Sequence, residues 1–251
     1  MANRRRTPVE PVAIEAHHCT PAEQRRLLGG TPFFMQLSES DVEQLASSFR
    51  QADYAAGETI QRSGEPATRL SIVAAGMVKL IRPTSDGQDV LLNILGPGDY
   101  FGSLADLGDS AYQEDATAHT QCCILFTTAA EYRQLLQQYP TVALATLDFV
   151  ATRLLSAHET IEQISAYPVD QRVAATILDL ARRVGREDDG AILIEMPLSR
   201  QDLADMTGAT VETVSRVMSD FRRMGLIESG RRWIAVRDAD ALTGIARHDT
   251  F

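Results

Sequence analysis

The chain has 251 residues, 44% hydrophobic and 23% charged, with a formal net charge of -10. That is an ordinary soluble composition, enough for one large domain or two small ones. No apolar run approaches the ~20 residues needed to cross a bilayer, and the basic start MANRRRTPVEP is followed by no secretory apolar stretch, so no membrane partner and a cytoplasmic location are expected.

Three cysteines, Cys19, Cys122 and Cys123, exclude a disulfide framework and fit a reducing compartment. The acidic total argues against nucleic acid, but the field that matters is the one at the contact surface.

Residues 1–28 read as a leader, irregular or partly helical and open to disorder. The stretch SESDVEQLASSF (38–49) reads as a short amphipathic helix capped by Ser38 or Ser40. From about 53 to 128 the texture changes. Strand-forming segments alternate with Gly57, Gly64, Gly76, Gly87, Gly98 and Gly102 at roughly ten-residue spacing, the rhythm of an antiparallel sandwich or barrel. SDGQ (85–88) reads as a hairpin turn, and CCILF (122–126) as a late strand.

From Thr141 the period becomes helical. Leu147, Val150, Leu154, Ala157, Ile161 and Ile164 step by 3, 4, 3, 4 and 3 residues, a heptad seam that ends before Pro168. A seam this long asks for a partner. The simplest is the same helix of a second copy, in a two-fold dimer; packing on its own domain is the alternative.

After Pro168, VDQRVAATILDLARRVG reads as an amphipathic helix, REDDG (186–190) as an acidic loop and AILIEMP as a strand stopped by Pro197. In LSRQDLADMTG, Ser199 and Asp202 have the spacing of a capping box, Leu203 and Met206 face inward, and Gly208 sits where two helices must turn. Thr210 caps the next helix. Val214, Val217, Met218 and Phe221 fall on its apolar stripe; Glu212, Ser215, Arg216 and Ser219 fall on the other. LIESGRRWIAVRD reads as strand, Ser-Gly turn, strand, a hairpin with two arginines at its tip.

Helix, strand, helix, turn, helix, hairpin is the order of a winged helix-turn-helix. The first turns of its second helix are the ones that reach base edges in the major groove. The Arg216 fork matches the two acceptors of guanine. Glu212 can accept from a cytosine amino group and can hold Arg216 one turn away. Ser215 is small enough for close approach. Between Pro197 and Arg237, arginines 200, 216, 222, 223, 231, 232 and 237 stand against acids 202, 205, 212, 220 and 228, so this segment is net positive in an acidic chain. Ser199, Arg200, Thr210, Thr213, Arg222, Arg231 and Arg232 are the candidate backbone contacts; a merely solvated basic face is the plainer reading of the arginines alone.

The segments GETIQRSGEPATRLSIVAAGMVKLIR, LLNILGPGDYFGSLADL and LSRQDLADMTGATVETVSRVMSDFRRMGLI together resemble the CRP/FNR family of bacterial transcription regulators, over residues 30 to 245. The resemblance implies an α+β chain. Its parts are a leader (1–28), an antiparallel eight-stranded β-roll sensor of the cyclic-nucleotide-binding jelly-roll kind (29–140), a long dimerisation helix (141–168) and a winged helix-turn-helix (169–251). The implied partners are double-stranded DNA, a second copy and RNA polymerase, with an activator's role. Glu212, Ser215 and Arg216 resemble the FNR branch, which reads TTGAT…ATCAA palindromes; the cyclic-AMP-receptor branch has an arginine in place of Val211 and a glycine in place of Ser215.

The same resemblance bears on the effector. The family's Gly-Glu and Arg-Ser nucleotide contacts fall on Gly102-Ser103 and Glu114-Asp115, and the residues closing over adenine fall on Ala157 and His158. Carboxylates repel a phosphate at close range, so cyclic AMP is not expected to bind. Cys19 and Cys122 alone match the family's iron–sulfur ligands, too few for a cluster, and HHC (17–19) is an incomplete metal site. No cofactor is predicted. Haem on His119 or His158 and a redox role for Cys122 or Cys123 stay open, as does a constitutive regulator. No nucleophile–base pair, P-loop or zinc motif is present, so no enzyme is expected; a ligand-binding module with a protein-docking helical end is the remaining class.

Overall fold

The computed structural model describes residues 19–84, 89–102, 110–230 and 232–247. The predicted turn at 85–88 and the His17-His18 pair lie outside them. The chain forms two compact units, and the division falls within one helix, between Ala157 and His158.

The first unit opens with α1 (Pro21–Gly30) and α2 (Glu39–Ala46). The described end of the leader is therefore an ordered helix. Its start is fixed by a capping box, Thr20 with Glu23, and by Pro21 in the first turn. Leu28 is fully buried. Ser38, not Ser40, caps α2 by accepting from the Asp41 N–H.

Eight strands follow: β1 (Arg50–Tyr54), β2 (Thr59–Gln61), β3 (Arg69–Ala75), β4 (Val78–Pro83), β5 (Asp89–Leu95), β6 (Tyr100–Gly102), β7 (Asp115–Ala118) and β8 (Cys122–Thr128). They form two four-stranded antiparallel sheets, ordered β1-β8-β3-β6 and β2-β7-β4-β5. This is the expected β-roll. Gly76 shows why glycines punctuate it: φ is +81°, and a Cβ there would lie 2.2 Å from the Gln121 carbonyl oxygen.

Two apolar clusters hold the unit. Val73, Val78, Leu80, Leu95, Phe101, Cys122 and Ile124 fill the space inside the roll. Leu28, Phe33, Phe34, Leu45, Ile72, Leu125, Tyr132 and Val142 pack the helices on its outside. Alternate residues of β8 thus serve different clusters, as the two-residue period of a strand requires. A helix that the pattern did not reveal, α3 (Ala129–Gln138), is started by a capping box of Thr128 and Glu131. Arg50 holds Glu131 with two hydrogen bonds, 3.0 and 2.8 Å.

Helix α4 (Pro140–Ala166) is 27 residues long. Val142 and Thr146 bury its first turns. Every residue from Val150 to Glu162 is exposed.

The second unit contains α5 (Val169–Val184), β9 (Arg186–Asp188), β10 (Ala191–Ile194), α6 (Arg200–Thr207), α7 (Val211–Arg223), β11 (Ile227–Gly230), β12 (Trp233–Val236) and α8 (Ala239–Arg247). Its sheet runs β11-β12-β10-β9. Two sequence expectations change here. The acidic loop 186–190 is a strand plus a turn: Asp189 and Gly190 carry the positive φ angles, so Arg186, Glu187 and Asp188 can pair with β10. The wing's turn is also not Ser-Gly. Ser229 and Gly230 pair with Ile234 and Trp233, so both belong to strand β11.

Candidate nucleic-acid interface

The site begins with two caps. The Ser199 hydroxyl accepts from the Asp202 N–H at 3.0 Å, and the Asp202 carboxylate accepts from the Ser199 N–H at 2.9 Å. Two donors at the start of α6 are thereby satisfied. Leu203 is fully buried; Met206, expected inside, is half-buried. Gly208 closes α6 in the left-handed conformation, φ 57°, and Thr210 opens α7 by accepting from the Thr213 N–H at 3.2 Å. One glycine therefore sets the angle between the two helices.

Helix α7 divides as its sequence does. Val214 and Met218 are fully buried and Val217 and Phe221 nearly so. Glu212, Arg216 and Ser219 are exposed, and Ser215 is half-buried between them. The predicted hold of Glu212 on Arg216 is absent: no ion pair joins them, and each stands free in solvent among the described residues. At full exposure such a pair contributes little against the side-chain entropy it would cost.

The charge balance sharpens in three dimensions. Asp220 holds Arg223 at 2.9 Å and Glu228 holds Arg237 at 3.1 Å, while Asp202 is occupied as a cap. Arg200, Arg216, Arg222 and Arg232 have no carboxylate partner among the described residues. Arg200 is half-buried and donates to the Ser229 hydroxyl at 3.3 Å. Burial, and then the charge of Arg222, push its pKa down. The two cations thus repel one another with no carboxylate partner among the described residues. Arg231 lies outside the described residues.

Residues 171–245 match the Crp-like helix-turn-helix domain, and residues 51–139 match the cyclic nucleotide-binding domain. The cyclic AMP receptor protein of Thermus thermophilus is 32% identical over 86% of this chain and 97% of its own length. The chain belongs to the CRP/FNR family. Further CRP/FNR relatives include the transcriptional activator FnrL of Cereibacter sphaeroides, 28% identical over 78% of this chain and 80% of its own. The solved structure of FixK2 from Bradyrhizobium japonicum superposes with a TM-score of 0.71 at 26% identity, over 78% of this chain and 96% of that one. The family's members are transcription regulators with a helix-turn-helix, and this chain is a DNA-binding regulator of that kind. No helix among the described residues is long and apolar enough to cross a membrane.

The CRP/FNR sensor positions are partly brought together. Gly102 and Glu114 meet at Gln61, a buried residue that the sequence did not single out. Its side chain donates to the Glu114 carbonyl at 3.2 Å, and a Cβ on Gly102 would lie 3.5 Å from its Oε1. The Asp115 carboxylate accepts from the Ser63 N–H at 2.6 Å. A cation also reaches this region, which a scan along the chain between Arg82 and Arg133 overlooks. Pairing of Ile81 with Asp115 sets Arg82 beside Glu114, 3.7 Å away. Ser103 lies outside the described residues, and His158 is exposed on α4 in the other unit.

Each of the six seam residues is exposed, the five larger ones from Val150 at 42% to Leu147 at 63%. Leu144 and Leu155, outside the strict heptad, are bare as well. Cys122 is buried inside the roll, and burial pushes its thiol pKa up to about 12. Cys123 is equally buried but points to the other face, where its sulfur lies 3.3 Å from that of Cys19.

Proposed function

We propose that the protein acts as a homodimer that reads a palindrome of TTGAT-like half-sites through Glu212, Ser215 and Arg216, and that RNA polymerase is its further partner at promoters it activates. The observation that carries this reading is the exposed stripe of α7, where Arg216 stands without an anion. A fork with no partner in its own chain is free to bond two acceptors on one base. The bare seam of α4 supports the pairing of two copies. Two α7 helices about one DNA turn apart, ~34 Å, then demand a two-fold site.

The sensor is proposed not to take cyclic AMP, although the relatives from Thermus thermophilus and Mycobacterium tuberculosis are named for it. By the family resemblance Glu114 and Asp115 hold the positions of the phosphate contact, and the nearby cation, Arg82, already faces Glu114. Control by a thiol, by haem, or by expression level alone is compatible with the same DNA reading.

The test is unbiased selection of binding sites from random duplexes at fixed salt. The wild-type chain enriches a TTGAT-type palindrome, with or without cyclic AMP. Arg216→Ala loses discrimination at one base pair of each half-site, a loss of about 1–3 kcal/mol per half-site. A non-palindromic site, or an unchanged preference in the variant, removes α7 from this role; enrichment only with cyclic AMP refutes the sensor reading alone.

A further inference from the structure

We infer that Cys19 and Cys123 form a reversible disulfide that fastens the start of α1 to strand β8, with a hydroperoxide as the oxidant. The inference rests on the packing of the sensor unit and stands apart from the DNA reading. The two sulfurs are 3.3 Å apart although 104 residues separate them in sequence. A disulfide needs about 2 Å between sulfurs, so the approach still required is about 1 Å of side-chain movement.

Position in the strand explains the choice of thiol. Cys122 and Ile124 point into the roll, while Leu125 packs under the helices. Cys123 alternates onto the same outer face as Leu125. A β-bulge between Val73 and Ala75 lies opposite it on β3. Cys19 directly precedes the Thr20 cap, so α1 begins where its sulfur meets Cys123.

The pair is also reachable. Cys19 is half-exposed and lines a cleft of about 590 Å³ with Glu23, Arg26, Ala75, Pro97 and Asp99. A small peroxide fits there. Cys123 is 2% exposed, and burial, then contact with Cys19, push its thiol pKa up. The first attack therefore belongs to Cys19, the sulfur that the cleft leaves accessible.

The chemistry balances. The Cys19 sulfur attacks the outer oxygen of the hydroperoxide, the O–O bond breaks, and Cys19 becomes a sulfenic acid. The departing oxygen leaves with the thiol proton, as water when the oxidant is hydrogen peroxide. The Cys123 sulfur then attacks the Cys19 sulfur, the S–O bond breaks, and the hydroxyl leaves as water with the Cys123 proton. Two electrons pass from the sulfurs to the peroxide, and a dithiol reverses the bond.

The experiment uses the full chain treated with hydrogen peroxide, then alkylated and mapped by mass spectrometry without reduction. The expected product is one intramolecular peptide pair, Cys19 with Cys123, with Cys122 still alkylated, and with an unfolding midpoint in urea raised and returned by dithiothreitol. Cys19→Ser changes a half-exposed residue and keeps the fold. It shows no cross-link and no peroxide-induced rise in midpoint. Cys123→Ser tests the other end, and circular dichroism confirms that it folds. The inference is overturned if both thiols remain alkylated after peroxide, if the bond joins two chains, if Cys122 is the partner, or if Cys19→Ser responds as the wild type does.

Discussion

Helices α4 and α7 are both amphipathic, and they leave opposite kinds of surface bare. Helix α7 puts Val214, Val217, Met218 and Phe221 inside and turns Glu212, Arg216, Ser219 and Arg222 to solvent. Helix α4 buries only Val142 and Thr146 and shows solvent a row of leucines, isoleucines and valine. The difference teaches what each helix is waiting for. Free donors and acceptors in fixed geometry suit a groove edged with donors and acceptors. Bare aliphatic side chains gain free energy only where another apolar surface excludes water. On the proposed reading each helix is half of an interface, and the polarity of the other half differs.

The strongest way to break this comparison is to make α4 resemble α7. In the double variant Leu147→Asp/Leu154→Asp, a symmetric seam would bury four carboxylates without cations, each costing several kcal/mol. At about 1.4 kcal/mol per tenfold, the dimer dissociation constant rises by more than about a thousandfold. The protomer keeps its circular dichroism spectrum, because both side chains are more than half exposed in it, at 63% and 57%. Sedimentation equilibrium reads the outcome. A dimer of undiminished tightness would mean that the bare row of α4 faces something other than a second copy.

How far the sequence revealed these features follows from where each signal lies. The caps Ser199 and Thr210, the turn at Gly208 and the seam of α4 are local patterns, written within one or two helical turns. Glycine spacing announced an antiparallel sandwich or barrel, and the family resemblance narrowed it to the β-roll. What stayed hidden depends on strand register. Arg82 beside Glu114 follows from β4 pairing with β7. Cys19 against Cys123 needs a helix start to land on the outer face of β8. The missing Glu212–Arg216 pair is the reverse case, since a permitted i,i+4 spacing does not oblige two exposed side chains to meet. Ser-Gly in the wing misled for a similar reason: turn-forming residues are only a propensity, and pairing of Gly230 with Trp233 overrode it.

A milder change sharpens the reading of α7. Thr210→Ala removes the hydroxyl that accepts from the Thr213 N–H, a loss of about 1 kcal/mol in the first turn. Amide exchange at Glu212 and Thr213 should quicken by about fivefold, and site affinity should fall, while exchange in α4 stays as it was. Equal protection in variant and wild type would show that α7 is held by its buried stripe alone.

The smallest effect separates cations that face solvent from those already held. Arg222 has no carboxylate among the described residues and lies close enough to Arg200 to depress its pKa. Arg223, its neighbour, is held by Asp220. If Arg222 seats a phosphate, Arg222→Ala removes one contact per protomer. The slope of log affinity against log salt then becomes shallower by about 0.9 per contact, or about 1.8 per dimer. Base preference does not change, because phosphates carry no sequence. Arg223→Ala shifts the slope less, since Asp220 already neutralises that charge. Equal slopes for the two variants would mean that the Arg223–Asp220 pair opens on DNA, and that the static ion pairs of α7 do not decide which arginines reach the backbone.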